Sequence, residues 1–135
     1  MNIKIATILP YKENYSISNA AAASLWVSDF FKFSKLKKNN YIFGSTSFKD
    51  YLGPNYININ LKKINSKLSS TTKIYCDKLI KKISGKNYNI IEIHNRPLVF
   101  NILKKKINSK FILYFHNDPL SMKGSKSVDE RIKLF

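Results

Sequence analysis

Acidic residues, arginine, glycine, cysteine and long apolar runs are all scarce in this chain of 135 residues. Against 24 lysines and arginines stand only 8 aspartates and glutamates, a formal net charge of +16. Such a balance normally raises nucleic acid, an anionic membrane or an acidic ligand as a partner. Arginine, however, supplies only two of the 24, Arg96 and Arg131. The chain is equally rich in asparagine, isoleucine and tyrosine, so much of the charge reads as the background that A/T-rich codons produce, and no motif for reading a specific nucleic acid accompanies it. The single cysteine, Cys76, can form neither an internal disulfide nor a multi-thiolate metal site, which favours a reduced, cytoplasmic setting. Gly44, Gly53, Gly85 and Gly124 are too far apart for a dinucleotide fingerprint or a phosphate loop, so no cofactor is expected. No apolar run approaches the ~18 residues of a membrane span, and residues 3–9, broken by Lys4 and stopped by Pro10, do not form a secretion signal. Membrane contact is expected only as peripheral attachment to the inner face.

What remains suffices for one domain. With 44% hydrophobic residues the chain can build a core, folding away roughly two-thirds of its unfolded surface at this size. Residues 3–9 are β-branched-rich and read as a strand buried on both faces. Ser18 or Asn19 then caps a helix in which Ala22, Trp26, Phe30 and Phe33 recur at helical spacing, ending near Leu36. Strands follow at 41–43 and 56–59. A second helix carries Ile64, Leu68, Thr72, Tyr75, Leu79 and Ile83 on one stripe, its lysines forming a solvated face and Gly85 closing it. Residues 89–93 form a fourth strand, Pro97 opens a third helix through Leu98, Ile102 and Ile107, and residues 111–115 form a fifth strand. Ser127 and Glu130 make a capping box for a fourth helix. The alternation predicts an α/β, Rossmann-like three-layer domain with a parallel sheet in the order 3-2-1-4-5. Ligands of such sheets sit at the carboxyl ends of the strands where the order reverses, here between strands one and four.

That geometry selects the candidate residues. The loop after strand one offers Asn14, Ser16, Ser18 and Asn19 beside a helix N-terminus able to hold an anionic group, ordinary capping being the plainer alternative. Strand four runs into Glu92, His94, Asn95 and Arg96. Period-two alternation puts Glu92 and His94 on one face, where the carboxylate can hold the imidazole's tautomer. The Arg96 guanidinium suits a carboxylate, phosphate or sugar hydroxyls. Strand five ends in His116, Asn117 and Asp118, so both imidazoles and the guanidinium are expected to border a common hollow. Glu92, His94, His116 and Asp118 have metal-ligand chemistry, but strand ends are not a recognised metal spacing and no metal is assigned. Cys76, on the second helix, reads as a structural thiol.

The opening Ile3-Lys4-Ile5-Ala6-Thr7-Ile8-Leu9-Pro10, the segments Ile90-Ile91-Glu92-Ile93-His94-Asn95-Arg96-Pro97 and Phe115-His116-Asn117-Asp118-Pro119, and Ser127-Val128-Asp129-Glu130-Arg131 stand in an order and spacing that is familiar. On these residues the chain resembles the N-terminal domain of the family 4 glycosyltransferases, enzymes in which two Rossmann-like domains face each other across a cleft (the GT-B architecture). The resemblance implies transfer of a sugar from a nucleotide-sugar donor to a glycan or lipid-linked acceptor, as in polysaccharide biosynthesis, with retention of configuration and without an essential metal. It implies a catalytic role for His116 and places the loop residues Asn14, Ser18 and Asn19 near the transferred sugar, while His94, Asn95, Arg96, Asn117 and Asp118 are expected near substrate from their place at the strand ends. Where the family often has a Gly-Gly pair in the first loop, this chain has Ser18-Asn19-Ala20. The donor-gripping C-terminal domain lies outside these residues, so the chain alone is expected to be a catalytically incomplete fragment or half of a split enzyme. Two other readings compete. One is a basic α/β module binding nucleic acid or an anionic membrane through its lysines. The other is a small hydrolase or nucleotide-binding protein built on the Glu92, His94, His116 and Asp118 cluster.

Overall fold

The computed structural model describes residues 3–61 and 69–135. Alternation of short β-branched runs with helical periods produces β1 (Ile5–Ile8), α1 (Ala22–Phe33), β2 (Asn40–Gly44), β3 (Tyr56–Asn58), α2 (Thr71–Ile83), β4 (Ile90–His94), α3 (Pro97–Lys104), β5 (Lys110–Tyr114) and α4 (Val128–Ile132). The strands form a five-stranded sheet in the order β3-β2-β1-β4-β5, every pair parallel. This is the expected order, and the domain is α/β and Rossmann-like. At its centre Ile5, Ala6, Thr7 and Ile8 pair with residues 40–43 on one side and with residues 90–93 on the other.

Because successive side chains of a strand point to opposite faces, the central strands feed two cores. Ala6, Ile8, Ile91 and Ile93 pack with Tyr75, Leu79 and Ile83 of α2 and Val99 and Leu103 of α3. On the other face Leu9 and Ile42 meet Val27 and Phe31 of α1, with Tyr15 and Tyr56. Cys76 is buried, and its burial pushes the thiol up to about 12, so it remains a protonated part of the core and not a nucleophile.

The helix signals are realised with three corrections. Ser70 caps α2 by accepting from Lys73 N at 3.2 Å, Gly85 adopts φ 75, Pro97 occupies the first turn of α3, and the Ser127–Glu130 capping box forms in both directions. Ile64 and Leu68 of the second helical stripe lie outside the described residues. Neither Ser18 nor Asn19 caps α1; its N-cap is Ala21, which makes no side-chain cap bond. The buried stripe of α1 is Ala23, Val27 and Phe31, one position on from the expected one, so that Trp26, Phe30 and Phe33 are 42%, 51% and 89% exposed. Finally, α3 stops at Lys104, short of Ile107. Among the described residues, no helix is long and apolar enough to cross a membrane.

Gly124 makes one close approach that only glycine permits: at φ +96 a Cβ there would lie 2.9 Å from the Leu98 side chain and 3.0 Å from the Leu98 backbone N, whereas at Gly85, φ +75, nothing lies within 4 Å. Replacing Gly124 by alanine is expected to cost about 1–3 kcal/mol in thermal or urea unfolding, and the same change at Gly85 about 1 kcal/mol. Equal losses at the two positions would show that the Leu98 contact is without weight.

Candidate functional site

The carboxyl ends of β4 and β5 are joined by a residue in an unusual conformation. Asn95 sits at φ 51, in the left-handed region that asparagine tolerates better than most side chains. Its N–H donates to Tyr114 O at 2.8 Å, and its Oδ1 accepts from His116 N–H at 2.7 Å. A residue expected to meet substrate is thus buried and engaged in holding the two strand ends together.

Clamped in this way, the two imidazoles meet. His94 Nδ1 lies 2.7 Å from His116 Nε2, with ring centres 5.0 Å apart and planes inclined by 17°. His94 is 0% exposed, and its Nε2 has no hydrogen-bond partner among the described residues. Its ring stacks on Tyr114, its partner in the β4–β5 register, with centres 5.0 Å apart and planes inclined by 12°. Trp26 of α1 covers the pair, 5.9 Å from His94 and edge-on to His116 at 5.1 Å. Burial and the neighbouring His116 push His94 down to about 3, and burial also lowers His116. Both rings are therefore neutral near pH 7, and His116 is the partly exposed member.

Glu92 does share a face with His94, but it does not hold that ring. Its Oε2 is 3.0 Å from the Thr7 hydroxyl, which also lies 3.0 Å from Asn40 Oδ1, making a buried polar row across β4, β1 and β2. Register explains the difference, because Thr7 stands directly beside Glu92 in the β1–β4 ladder. Burial raises the Glu92 carboxyl, with the Thr7 bond opposing. The Thr7 hydroxyl carries one proton, which it donates to Glu92 Oε2 or to Asn40 Oδ1 but not to both at once.

Arg96 turns the other way. Its guanidinium carbon lies 5.5 Å from the centre of the Tyr11 ring, and NH1 donates to Asn95 O at 3.0 Å. Tyr11 packs edge-on against Tyr75, so the guanidinium sits on the α2 side of the sheet edge, away from α1 and Trp26. Arg96, Tyr11, Glu13, Thr72, Asn95 and Asn117 line a cleft of about 450 Å³. The imidazoles are not in its lining, so the hollow expected to hold all three groups is divided by the left-handed turn at Asn95. Arg96 Nε and Glu13 Oε2 are both buried without a hydrogen-bond partner among the described residues. Burial raises the Glu13 carboxyl, an effect the Arg96 charge partly offsets. Both side chains line the cleft, but these two atoms are themselves closed off from solvent.

The first loop is tied elsewhere. Asp50, which sequence reasoning does not single out, accepts from Ser18 N at 2.7 Å and from Ser16 Oγ at 3.0 Å. Bonds from Ser18 and Ser16 lower its carboxyl. Asn14 Oδ1 accepts from the Thr46 hydroxyl at 2.9 Å, and Asn19 N donates to Ser16 Oγ at 3.2 Å. The anion expected at this loop is therefore supplied by the chain itself, as a carboxylate from the β2–β3 connection. Asp118 is also engaged, accepting from Leu120 N at 2.9 Å to start the 3-10 turn Pro119–Ser121. Among the described residues no three histidine, cysteine or acidic side chains are placed to hold a metal ion.

The buried pair makes the domain acid-sensitive. A histidine whose folded pKa is depressed binds its proton more readily when unfolded, so stability is complete above about 6.5 and falls as pH drops from there toward 3, by at most about 1.4 kcal/mol per unit. His94→Asn, which cannot titrate, is expected to flatten the dependence of melting temperature on pH between 6.5 and 4. Parallel curves for the two proteins would assign the acid sensitivity to other groups.

Comparison with protein-family models, with curated proteins and with solved structures gives no match to this chain in any of the three.

Proposed function

We propose that this domain is the acceptor-side half of a glycosyltransferase that moves a sugar from a nucleotide-sugar donor to a glycan or lipid-linked acceptor. The observation carrying the proposal is the placement of His116. It stands just past the carboxyl end of the edge strand β5, one strand over from the crossover between β1 and β4, its backbone held by Asn95 and its ring by a buried imidazole. A neutral, oriented imidazole at that edge can hydrogen-bond the transferred sugar or the phosphate oxygens on which charge develops, without carrying a charge of its own. The cleft across the same edge, lined by Arg96, Asn95, Asn117 and Thr72, offers polar side chains for hydroxyls of the acceptor. Asn14, Ser18 and Asn19 are tied to Thr46, Asp50 and Ser16 respectively, and are not proposed as direct contacts.

The nucleotide is gripped by a second Rossmann-like domain, so the test uses this domain joined to a compatible donor-binding one. Sugar transfer is expected from the joined protein, and His116→Ala is expected to lower kcat about 100-fold or more while leaving the far-UV circular dichroism unchanged and costing about 1–3 kcal/mol of stability, because the buried His94 Nδ1 loses its partner. Full activity in that variant would overturn the role of His116, and absence of any transfer by the joined wild type would overturn the reading as a whole.

Peripheral attachment to an anionic membrane has its own support. Phe30 and Phe33 are exposed on α1, and Lys32, Lys35, Lys37 and Lys38 surround its C-terminal end. Aromatic side chains beside several cations suit the interface of a bilayer bearing negative headgroups. The domain is expected to sediment with vesicles containing phosphatidylglycerol at low salt and to be released by added salt, Phe33→Ser weakening the association. Equal sedimentation with pure phosphatidylcholine vesicles, or none with either, would refute it.

A further inference from the structure

The geometry of the histidine pair fixes where its protons are. Two imidazoles with nitrogens 2.7 Å apart, centres 5.0 Å apart and planes within 17° lie edge to edge in nearly one plane, the arrangement of a straight N–H···N bond. Two neutral rings can make that bond in two ways. If His116 Nε2 is the donor, His94 accepts at Nδ1 and its own proton must sit on Nε2, a fully buried nitrogen without a partner among the described residues. If His94 Nδ1 is the donor, that buried Nε2 is only a bare lone pair. Buried N–H groups are the ones that folded proteins most rarely leave orphaned, which favours the second arrangement.

We propose that His94 is a positioning residue that donates from Nδ1 and thereby locks His116 in its Nδ1-protonated tautomer, so that His116 presents a hydrogen-bond donor, not a base, to its ligand. His116 accepts at Nε2, hence its own proton occupies Nδ1, which has no hydrogen-bond partner among the described residues on a partly exposed ring. His94 does not reach a ligand, being 0% exposed beneath Trp26 and against Tyr114. Adding a proton to the pair places a hydrogen on the buried His94 Nε2 whichever ring takes the charge. That route is closed for the same reason, and His116 does not serve as a proton acceptor. The group that it meets is therefore an oxygen with a free lone pair, on a sugar hydroxyl or a phosphate. This last step rests on the glycosyltransferase reading, whereas the tautomer does not.

The test is made on the ¹⁵N-labelled chain alone, with no donor, acceptor or second domain, by long-range ¹H–¹⁵N correlation of the histidine rings at pH 7.5. Both rings are expected to be neutral and protonated at Nδ1. A proton on Nε2 of His116 in the wild-type chain overturns the proposal, whatever the variants do. In His94→Phe, which keeps an apolar ring but removes the donor, His116 is expected to shift toward the Nε2-protonated form. In His94→Asn, whose amide can donate from the same place, the Nδ1 form is expected to return. An unchanged His116 signature in His94→Phe would show that something other than His94 sets the tautomer, and would equally overturn the proposal. Because no turnover is measured, failure of the tautomer assignment and failure of the glycosyltransferase reading are seen separately.

Discussion

The parallel ladder between β4 and β5 is extended past its last pair by one residue, and the functional edge of the domain depends on that extension. His94 is registered against Tyr114, and Asn95 then spends its backbone N–H on Tyr114 at the end of β5 and its side-chain oxygen on His116, two residues further on. The left-handed backbone at Asn95 is sterically unfavourable for most side chains and persists because these two bonds over-determine it. Without that clamp the imidazoles would stand on two independent strand ends. With it they form one hydrogen-bonded unit, roofed by Trp26.

The turn at Asn95 also separates two kinds of chemistry. On the α1 side the edge is dry and aromatic, and a neutral imidazole pair is stable there because ionising it would strand a charge under Trp26 and Tyr114. On the α2 side lies a polar cleft in which a cation and a carboxyl are each incompletely satisfied. One strand edge thus presents an imidazole under aromatic rings on one side and a polar cleft on the other.

Much of the architecture is legible in one dimension because it rests on local rules. Short β-branched runs, Gly85 at positive φ, Pro97 in a first helical turn and the Ser127–Glu130 box each act within a few residues, and each is found as read. The stripe on α1 shows where such reading stops. Ala22-Trp26-Phe30 and Ala23-Val27-Phe31 have the same helical spacing, so periodicity alone cannot say which faces the sheet. The smaller set is buried, and the more aromatic one is left outside. Asp50 gave no local signal at all; its importance arises only from the approach of the β2–β3 connection to the first loop.

By itself, the sequence determined the order of strands and helices, the parallel sheet and its crossover point, and the set of polar residues delivered to the sheet's carboxyl edge, because strand and helix periods and chain handedness suffice for these. Only the tertiary structure decided their partners. Glu92 went to Thr7 and not to His94, His94 went to His116, and Arg96 went to the opposite side of the edge. Those choices depend on which residues the strand ladders pair and on a single left-handed residue, neither of which spacing along the chain encodes.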